Sequence, residues 1–310
     1  MRNTAKVITL VGPTASGKTS LSVKLSQIID SEIVSADSRL VYKDFNIGTA
    51  KPTLGEMQGI PHHLIDIIDP NEDFSAGIYK DKAEEAIHDI IKRQKTPVIA
   101  GGTGFYIKAL LEGLDMPRLN PDNEYRLELE QLAQEKGREF LYNMLREKDP
   151  TICEKLHPND KFRVIRALEV IKILGIPMSE AQKQSQPKYN TIYFGLTTRN
   201  REFLYERVNK RVDIMLEQGL IDEVKALINK HGRTVSMLKT LGYKEICEYL
   251  DGNLSFEAAV ELIKKNTRNF AKRQLTWFRA NPQIHWFYID EMPEEEILQQ
   301  IVEIIPVTYQ

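Results

Sequence analysis

Cysteine is nearly missing from this 310-residue chain: Cys153 and Cys247 are the two it has, far apart in sequence. A disulfide framework or a multi-cysteine zinc site therefore has no material, and a cytoplasmic home is the default expectation. Charge of one sign is scarce too. Lys+Arg 42 against Asp+Glu 44 leaves a formal net charge of -2, which argues against wholesale coating of nucleic acid but leaves room for a local basic face. Long apolar runs are absent. Val7 to Val11 gives way at once to Gly12 and Pro13, too short for a secretory signal, and no window reaches the roughly 18 apolar residues of a membrane span. Glycine (17) and proline (14) are dispersed among 42% hydrophobic residues, so collagen-like and wholly disordered readings fail. No internal repeat or low-complexity tract interrupts the chain.

What is present alternates. Lys6 to Val11 is a β-branched run ending in a glycine-rich turn, and Ser20 to Ile29 follows with Leu21, Leu25 and Ile28 at helical spacing. Glu32 to Ser35, His63 to Ile68 and Pro97 to Ala100 are further strand candidates, with a helix from Ser75 to Arg93 between the last two. Strands alternating with helices predict an α/β fold, a P-loop NTPase-like, mostly parallel sheet core with helices on both faces. From about Asp115 to Gln186 the pattern is helical, charged and punctuated by Pro117, Pro121, Pro150, Pro158 and Pro177. Thr191 to Leu196 returns to strand composition. Helices are then expected at Arg201–Gln218, Ile221–Lys230, Gly242–Leu250 and Ser255–Ala280, followed by a late strand at Ile284–Ile289. The expected organisation is a first part of the core at 1–114, a helical insertion domain at 115–190, and core completion with basic C-terminal helices at 191–310.

Gly12-Pro13-Thr14-Ala15-Ser16-Gly17-Lys18-Thr19 fits G-x-x-x-x-G-K-[ST], placed directly between a strand and a helix. The glycines let the loop's backbone N–H groups wrap phosphate oxygens, Lys18 adds a cation, and Thr19 offers a hydroxyl to Mg²⁺. This predicts a diphosphate or triphosphate site without saying which ester it holds, because kinases, NTPases and some transferases share the loop. Asp37 follows the second strand, where ligands bind in open parallel sheets. It is expected to face the same crevice as Lys18; a helix N-cap is the other common use of such an aspartate.

At this point the chain resembles the tRNA dimethylallyltransferases, also called tRNA isopentenyltransferases, over nearly its whole length. The resemblance rests on GPTASGKT at 12–19, DSRLVY at 37–42, IGTAKP at 47–52, PHHLIDIIDP at 61–70 and GGTGFY at 101–106. It continues through FRVIRALEV at 162–170, the set Arg207, Arg211, Val212, Asp213, Gly219 and Leu220, then GYKE at 242–245 and AKRQLTWFR at 271–279. Two positions depart from the pattern: Leu40 stands where the family usually has Gln, and Phe105 where it usually has Leu.

The resemblance implies transfer of a dimethylallyl group from dimethylallyl diphosphate to the exocyclic amine of the adenosine next to the anticodon, with release of pyrophosphate. Asp37 would be the general base, while Gly12, Thr14, Ala15, Ser16, Gly17, Lys18 and Thr19 hold the diphosphate with Mg²⁺. Thr103 and Arg211 match family positions at the reacting centre and its phosphates. The anticodon stem-loop would meet Asp37, Ser38, Arg39, Leu40 and Thr103, and also the helical stretch Phe162, Arg163, Val164, Ile165 and Arg166.

A basic face supports an RNA partner. Lys264 to Ala280 carries Lys264, Lys265, Arg268, Lys272, Arg273 and Arg279 with no acid. At 100° per residue, Lys265, Arg268, Lys272 and Arg279 share one stripe, with Ile263, Phe270 and Trp277 expected opposite. Arg268, Lys272 and Arg273 are therefore expected tRNA contacts, joined by a second cluster at Lys161, Arg163 and Arg166. His62 and His63 are read as structural or substrate-facing, not as metal ligands. A free-adenylate prenyltransferase, a small-molecule P-loop kinase and a non-catalytic RNA-binding protein remain as alternatives. The expected state is a monomer with no membrane partner.

Overall fold

The computed structural model describes residues 5–114, 119, 121–182 and 186–305. Its first strand, β1 (Lys6–Val11), buries Val7, Ile8, Leu10 and Val11 completely, as a β-branched run does when both faces of a parallel sheet are covered. It ends in the glycine loop, and α1 (Lys18–Ile28) begins after Gly17, whose φ of 93° is a left-handed value that favours glycine. Then come β2 (Ser31–Ser35), the short α2 (Leu54–Met57), the two-residue β3 (His62–His63), α3 (Ala76–Lys92), β4 (Thr96–Gly101) and α4 (Gly104–Leu111). Five helices follow: α5 (Asn123–Lys136), α6 (Arg138–Lys148), α7 (Pro150–Cys153), α8 (Lys161–Leu174) and α9 (Met178–Ala181). After β5 (Asn190–Thr197) stand α10 (Arg201–Glu217), α11 (Leu220–His231), α12 (Val235–Leu238), α13 (Tyr243–Leu250), α14 (Phe256–Arg279), β6 (Ile284–Tyr288) and α15 (Glu294–Ile304).

Helix starts follow from side chains that accept otherwise orphaned N–H groups. Asp122, Asp160, Asn200, Thr234 and Ser255 each cap one, and Thr53 with Glu56 makes a reciprocal capping box.

All six strands are parallel, in the order β3-β2-β4-β1-β5-β6. Register decides what happens at their carboxyl ends. Val11 lies opposite Gly101, and Ser35 opposite Ala100. The loops that begin at Gly12, Ala36 and Gly102 therefore leave the sheet side by side. This crevice beyond the strand ends is where ligands bind in open parallel sheets.

The described chain forms two compact units, one from the described parts of 1–75, 79–107 and 188–310, the other from those of 76–78 and 108–187. In the first, Leu21, Leu25, Ile297 and Ile301 share a core with Ile8, Leu10 and Phe194. A second core joins Val41 and Phe45 to Val212, Leu220, Tyr243 and Ile263. In the smaller unit, Leu129, Leu141, Leu145, Val164, Leu168 and Val170 pack together. There the buried Glu169 is neutralised by Arg126 and Arg166 and accepts the backbone N–H of Asp122.

Two expectations need correction. The strand predicted at His63–Ile68 stops at His63, because Leu64 (φ 63°) and Asp66 (φ 56°) are left-handed and break the extended ladder. Only Ile68 rejoins, as a single bridge to Tyr42. α15 was not foreseen. It is amphipathic, with Ile297 and Ile301 buried and Glu294, Glu295 and Glu296 in its first turn, where acids suit the helix dipole.

Candidate active site

A cavity of about 770 Å³ opens at the carboxyl ends of the strands, and every residue lining it belongs to the larger unit. Thr14 to Thr19 form one wall. The loop turns through Gly12 (φ 151°), where a Cβ would stand 2.8 Å from the Leu196 carbonyl oxygen, and through Ala15 (φ 63°). Internal bonds hold it: the Ser16 hydroxyl donates to the Pro13 carbonyl at 2.8 Å, and Arg207 Nε on α10 donates to the Ala15 carbonyl at 2.8 Å. Lys18 Nζ folds back to donate to Pro13 O at 2.6 Å. Burial pushes this ammonium down from its ordinary value, the Arg211 guanidinium pushes it further, and Asp37 opposes both, leaving it at about 7. Burial likewise lowers Arg211, against the attraction of Asp37 and Glu56. The wall thus holds two poorly compensated cations, the electrostatic condition for an anion site.

Asp37 faces them from the loop after β2. Its Oδ1 accepts the Arg39 N–H at 2.8 Å, an Asx turn that fixes the carboxylate. Thr103 lies in the next loop: its Oγ1 accepts the Ser38 N–H at 3.0 Å, and its own N–H donates to Ala36 O at 3.0 Å. Ser38, Arg39 and Leu40 line the cavity beyond Asp37. The floor at Gly48–Ala50 is fixed from below. Glu223 on α11 accepts the N–H groups of Asn46, Ile47 and Gly48, as well as the Tyr243 hydroxyl at 2.7 Å. Gly48 has to be glycine, since a Cβ there would sit 2.6 Å from the Tyr243 ring. His62 lines the cavity, while His63 is tied to Glu32 at 2.7 Å.

Among the described residues no group of three or more His, Cys, Asp or Glu side chains is placed to hold a metal ion. Thr19, exposed in the first turn of α1, offers one hydroxyl beside Lys18. That donor set suits a hard cation arriving with phosphate oxygens, not a self-sufficient metal centre.

The sequence expectations meet this geometry unevenly. Gly12 to Thr19, Asp37, Thr103 and Arg211 converge at one end of the sheet. Thr14 presents its N–H to Gln274 Oε1 at 2.8 Å. On α14, Lys272 and Arg273 are exposed, whereas Arg268 is half-buried and donates to Asn209 on α10 at 2.6 Å. The placing of Phe270 and Trp277 on the packed face needs correction. That face is Ala259, Ile263, Ala271, Gln274 and Phe278, while Phe270 is half-buried along the cavity and Trp277 is 39% exposed. Both lie at the edge of the stripe, where the neighbour is a cavity or the glycine turn at Gly104.

In the smaller unit Phe162 is 73% exposed and Arg163 is exposed beside Asp160, but Val164 and Ile165 are core side chains and Arg166 is paired with Glu169. As direct RNA contacts through their side chains, Val164 and Ile165 are therefore withdrawn. Their place in the helical period turns them inward.

Gln274 and Glu223 were missed. The signal for Gln274 was available: a polar residue in phase with Ile263 and Phe278 on an inward stripe must find partners. Glu223 reads in sequence as an ordinary first-turn acid.

Comparison with known proteins gives the family. The IPP transferase family model matches residues 40–281. A tRNA dimethylallyltransferase of Caldanaerobacter subterraneus subsp. tengcongensis is 46% identical over 307 residues, covering 96% of each chain. One of Carboxydothermus hydrogenoformans is 46% identical over 300 residues, with the same coverage. Among solved structures, a tRNA isopentenylpyrophosphate transferase of Bacillus halodurans superposes with a TM-score of 0.73 at 42% identity, covering 98% of this chain and 96% of that one. A eukaryotic dimethylallyltransferase acting on tRNA superposes with a TM-score of 0.80 at 31% identity, covering 97% of this chain and 78% of that one. The phosphate loop and Asp37 precede the matched segment of the family model, yet the relatives align from end to end with only a few per cent unpaired; the chain belongs to the IPP transferase family.

Proposed function

We propose that the chain transfers a dimethylallyl group from dimethylallyl diphosphate to the exocyclic amine of the adenosine 3′ to the anticodon in tRNA, releasing pyrophosphate. The observation that carries this reading is the convergence of Lys18, Arg211 and Asp37 on one cavity, with Thr103 bonded to the turn that carries Asp37. Lys18, Arg211 and the loop amides line it together with the Asp37 carboxylate, which its Asx turn holds in place.

The adenine amine is a weak nucleophile because its lone pair is delocalised into the ring. As its nitrogen forms a bond to the first carbon of the dimethylallyl group, Asp37 accepts the amine proton. The carbon–oxygen bond breaks on the opposite side, and its electron pair leaves on pyrophosphate. Lys18, Arg211 and the amides of Ala15 to Lys18 stabilise that charge as it develops. Thr19 and the diphosphate oxygens would hold a Mg²⁺ ion, which when bound neutralises part of the same charge. Thr103 holds the Ser38 amide and so fixes the turn that carries Asp37.

The target adenine has to leave its stack to reach this depth. Lys272 and Arg273 on α14 suit phosphate contacts that position the stem-loop without reading its sequence. Phe162 and Arg163 supply an exposed ring and cation of the kind that hold unstacked RNA. No helix among the described residues is long and apolar enough to cross a membrane.

The test is incubation with unmodified tRNA, labelled dimethylallyl diphosphate and Mg²⁺, followed by nucleoside analysis. Labelled N⁶-dimethylallyladenosine with stoichiometric pyrophosphate is expected. Cleavage of ATP at its terminal phosphate, with no isoprenoid on RNA, would replace this reading by a kinase or an NTPase.

A further inference from the structure

Gln274 is a side-chain amide, 6% exposed, in the middle of the apolar face of α14. Its two ends are used in opposite senses. Oε1 accepts the N–H of Thr14 in the phosphate loop at 2.8 Å, and Nε2 donates to the carbonyl of Gly102 at 3.0 Å. Gly102 permits the approach, since a Cβ there would lie 2.2 Å from Nε2. Hydrogen bonds then continue outward. Thr103, next in chain, accepts the Ser38 N–H at 3.0 Å, and Asp37 accepts the Arg39 N–H at 2.8 Å. One connected path therefore runs from the loop that holds the leaving group, through Gln274, to the loop that holds the base.

We infer that Gln274 is a positioning residue that sets the separation between the phosphate loop and the Thr103–Asp37 turn, keeping diphosphate, prenyl carbon and proton acceptor in line; this rests on the prenyl-transfer reading above. An amide is the side chain that fits, because one end must accept from a backbone N–H while the other donates to a backbone carbonyl. A carboxylate at 274 would face the Gly102 carbonyl with a second acceptor, and an apolar side chain would take the partner from both the part-buried Thr14 N–H and the buried Gly102 carbonyl. Because Gln274 shares α14 with Lys272 and Arg273, the helix proposed to receive RNA also braces the donor loop from behind.

Two variants test this, Gln274→Met, close in shape but without hydrogen bonds, and Gln274→Glu, which keeps the acceptor for Thr14 and loses the donor to Gly102. Pyrophosphate affinity is measured by calorimetry without RNA, kcat and both KM values by prenyl transfer, and folding by thermal unfolding. Gln274→Met is expected to lose pyrophosphate affinity several-fold and kcat by roughly 10²-fold, the order that a misplacement of about 1 Å produces, with the KM for tRNA unchanged. Gln274→Glu is expected to recover pyrophosphate affinity but not kcat. Wild-type kcat and pyrophosphate affinity in Gln274→Met would overturn the inference, as would a loss of kcat no larger than the loss of folded protein. If the wild-type protein places no prenyl group on tRNA, the functional reading fails by itself. The pyrophosphate affinities still decide the brace, which an unchanged value in Gln274→Met rejects. Should Gln274→Met fail to fold, amide exchange in the wild type takes its place: a protected Thr14 N–H supports the brace, and a rapidly exchanging one rejects it.

Discussion

The two ends of the sheet handle buried charge in opposite ways. At the amino end, Glu32 on β2 is 4% exposed. Burial pushes its carboxyl up, but hydrogen bonds from Arg93 at 2.6 Å and His63 at 2.7 Å outweigh this and hold it below the usual carboxylate range. At the carboxyl end, Lys18 is pushed down by burial and by Arg211, with Asp37 offsetting only part. One end is satisfied by the protein itself. The other is left short of negative charge, as the proposed diphosphate site requires. A folded chain that keeps such an imbalance loses stability to it, and function is where that loss is repaid.

The contrast can be broken or sharpened by substitution, beginning with the largest effect. Asp37→Ala is expected to lower the rate of prenyl transfer by roughly 10²-fold or more while tRNA still binds; unchanged turnover would remove Asp37 from the chemistry. Lys18→Met should lose most donor affinity and rate in steady-state kinetics without losing stability in chemical denaturation, because a half-buried, desolvated ammonium is replaced by an apolar chain. A Lys18→Met protein that is both inactive and less stable would erase the contrast between the two ends.

Glu32→Gln should behave in the reverse sense, losing about 1–3 kcal/mol in denaturation with transfer per folded molecule unchanged. An activity loss there would show that the ends are coupled.

The pH dependences also differ in sign. Lys18 has a folded value near 7 against 10.5 when unfolded, so the unfolded chain binds more protons between these values and stability rises with pH across that window. For Glu32 the folded value lies below the usual 4.5, so its contribution is complete above that pH and is lost on acidification. Denaturation of the wild type against Lys18→Met at pH 7 and pH 9, and against Glu32→Gln at pH 5 and pH 3, isolates each slope. The smallest effect is expected at the surface: replacing Lys272 and Arg273 by Gln should weaken tRNA binding modestly and reduce its salt slope by about 1 to 2. An identical slope would exclude α14 as an RNA contact.

Much of this was legible in the sequence, for reasons that differ from place to place. The phosphate loop declares itself because its function needs glycine at two fixed positions, and Asp37 because strand ends in parallel sheets share one crevice. α10 and α14 follow from long helical periodicity. The strand expected at His63–Ile68 failed because nothing in its composition reveals the left-handed backbone at Leu64 and Asp66. Gln274 and Glu223 were missed for another reason: helical phase shows that Gln274 needs partners but not which, and Glu223 reads as an ordinary first-turn acid. Their partners lie 172 and 260 residues away for Gln274, and from 175 to 177 away for the backbone held by Glu223, separations that no local pattern encodes. Helical pattern alone leaves Arg211 a solvated charge; the family resemblance implied its place at the phosphates, and it lines the cavity wall.

The inward side of α1 packs against Ile297, Ile301 and Ile305, and Ser20 and Lys24 on its outer side reach Glu294 and Glu295. The grip for the donor is encoded near the beginning of the chain, but its supporting partners are translated near the end. While synthesis is still under way, the helix behind the glycine loop lacks that apolar backing. The support of the glycine loop is therefore completed only once α15 has been made.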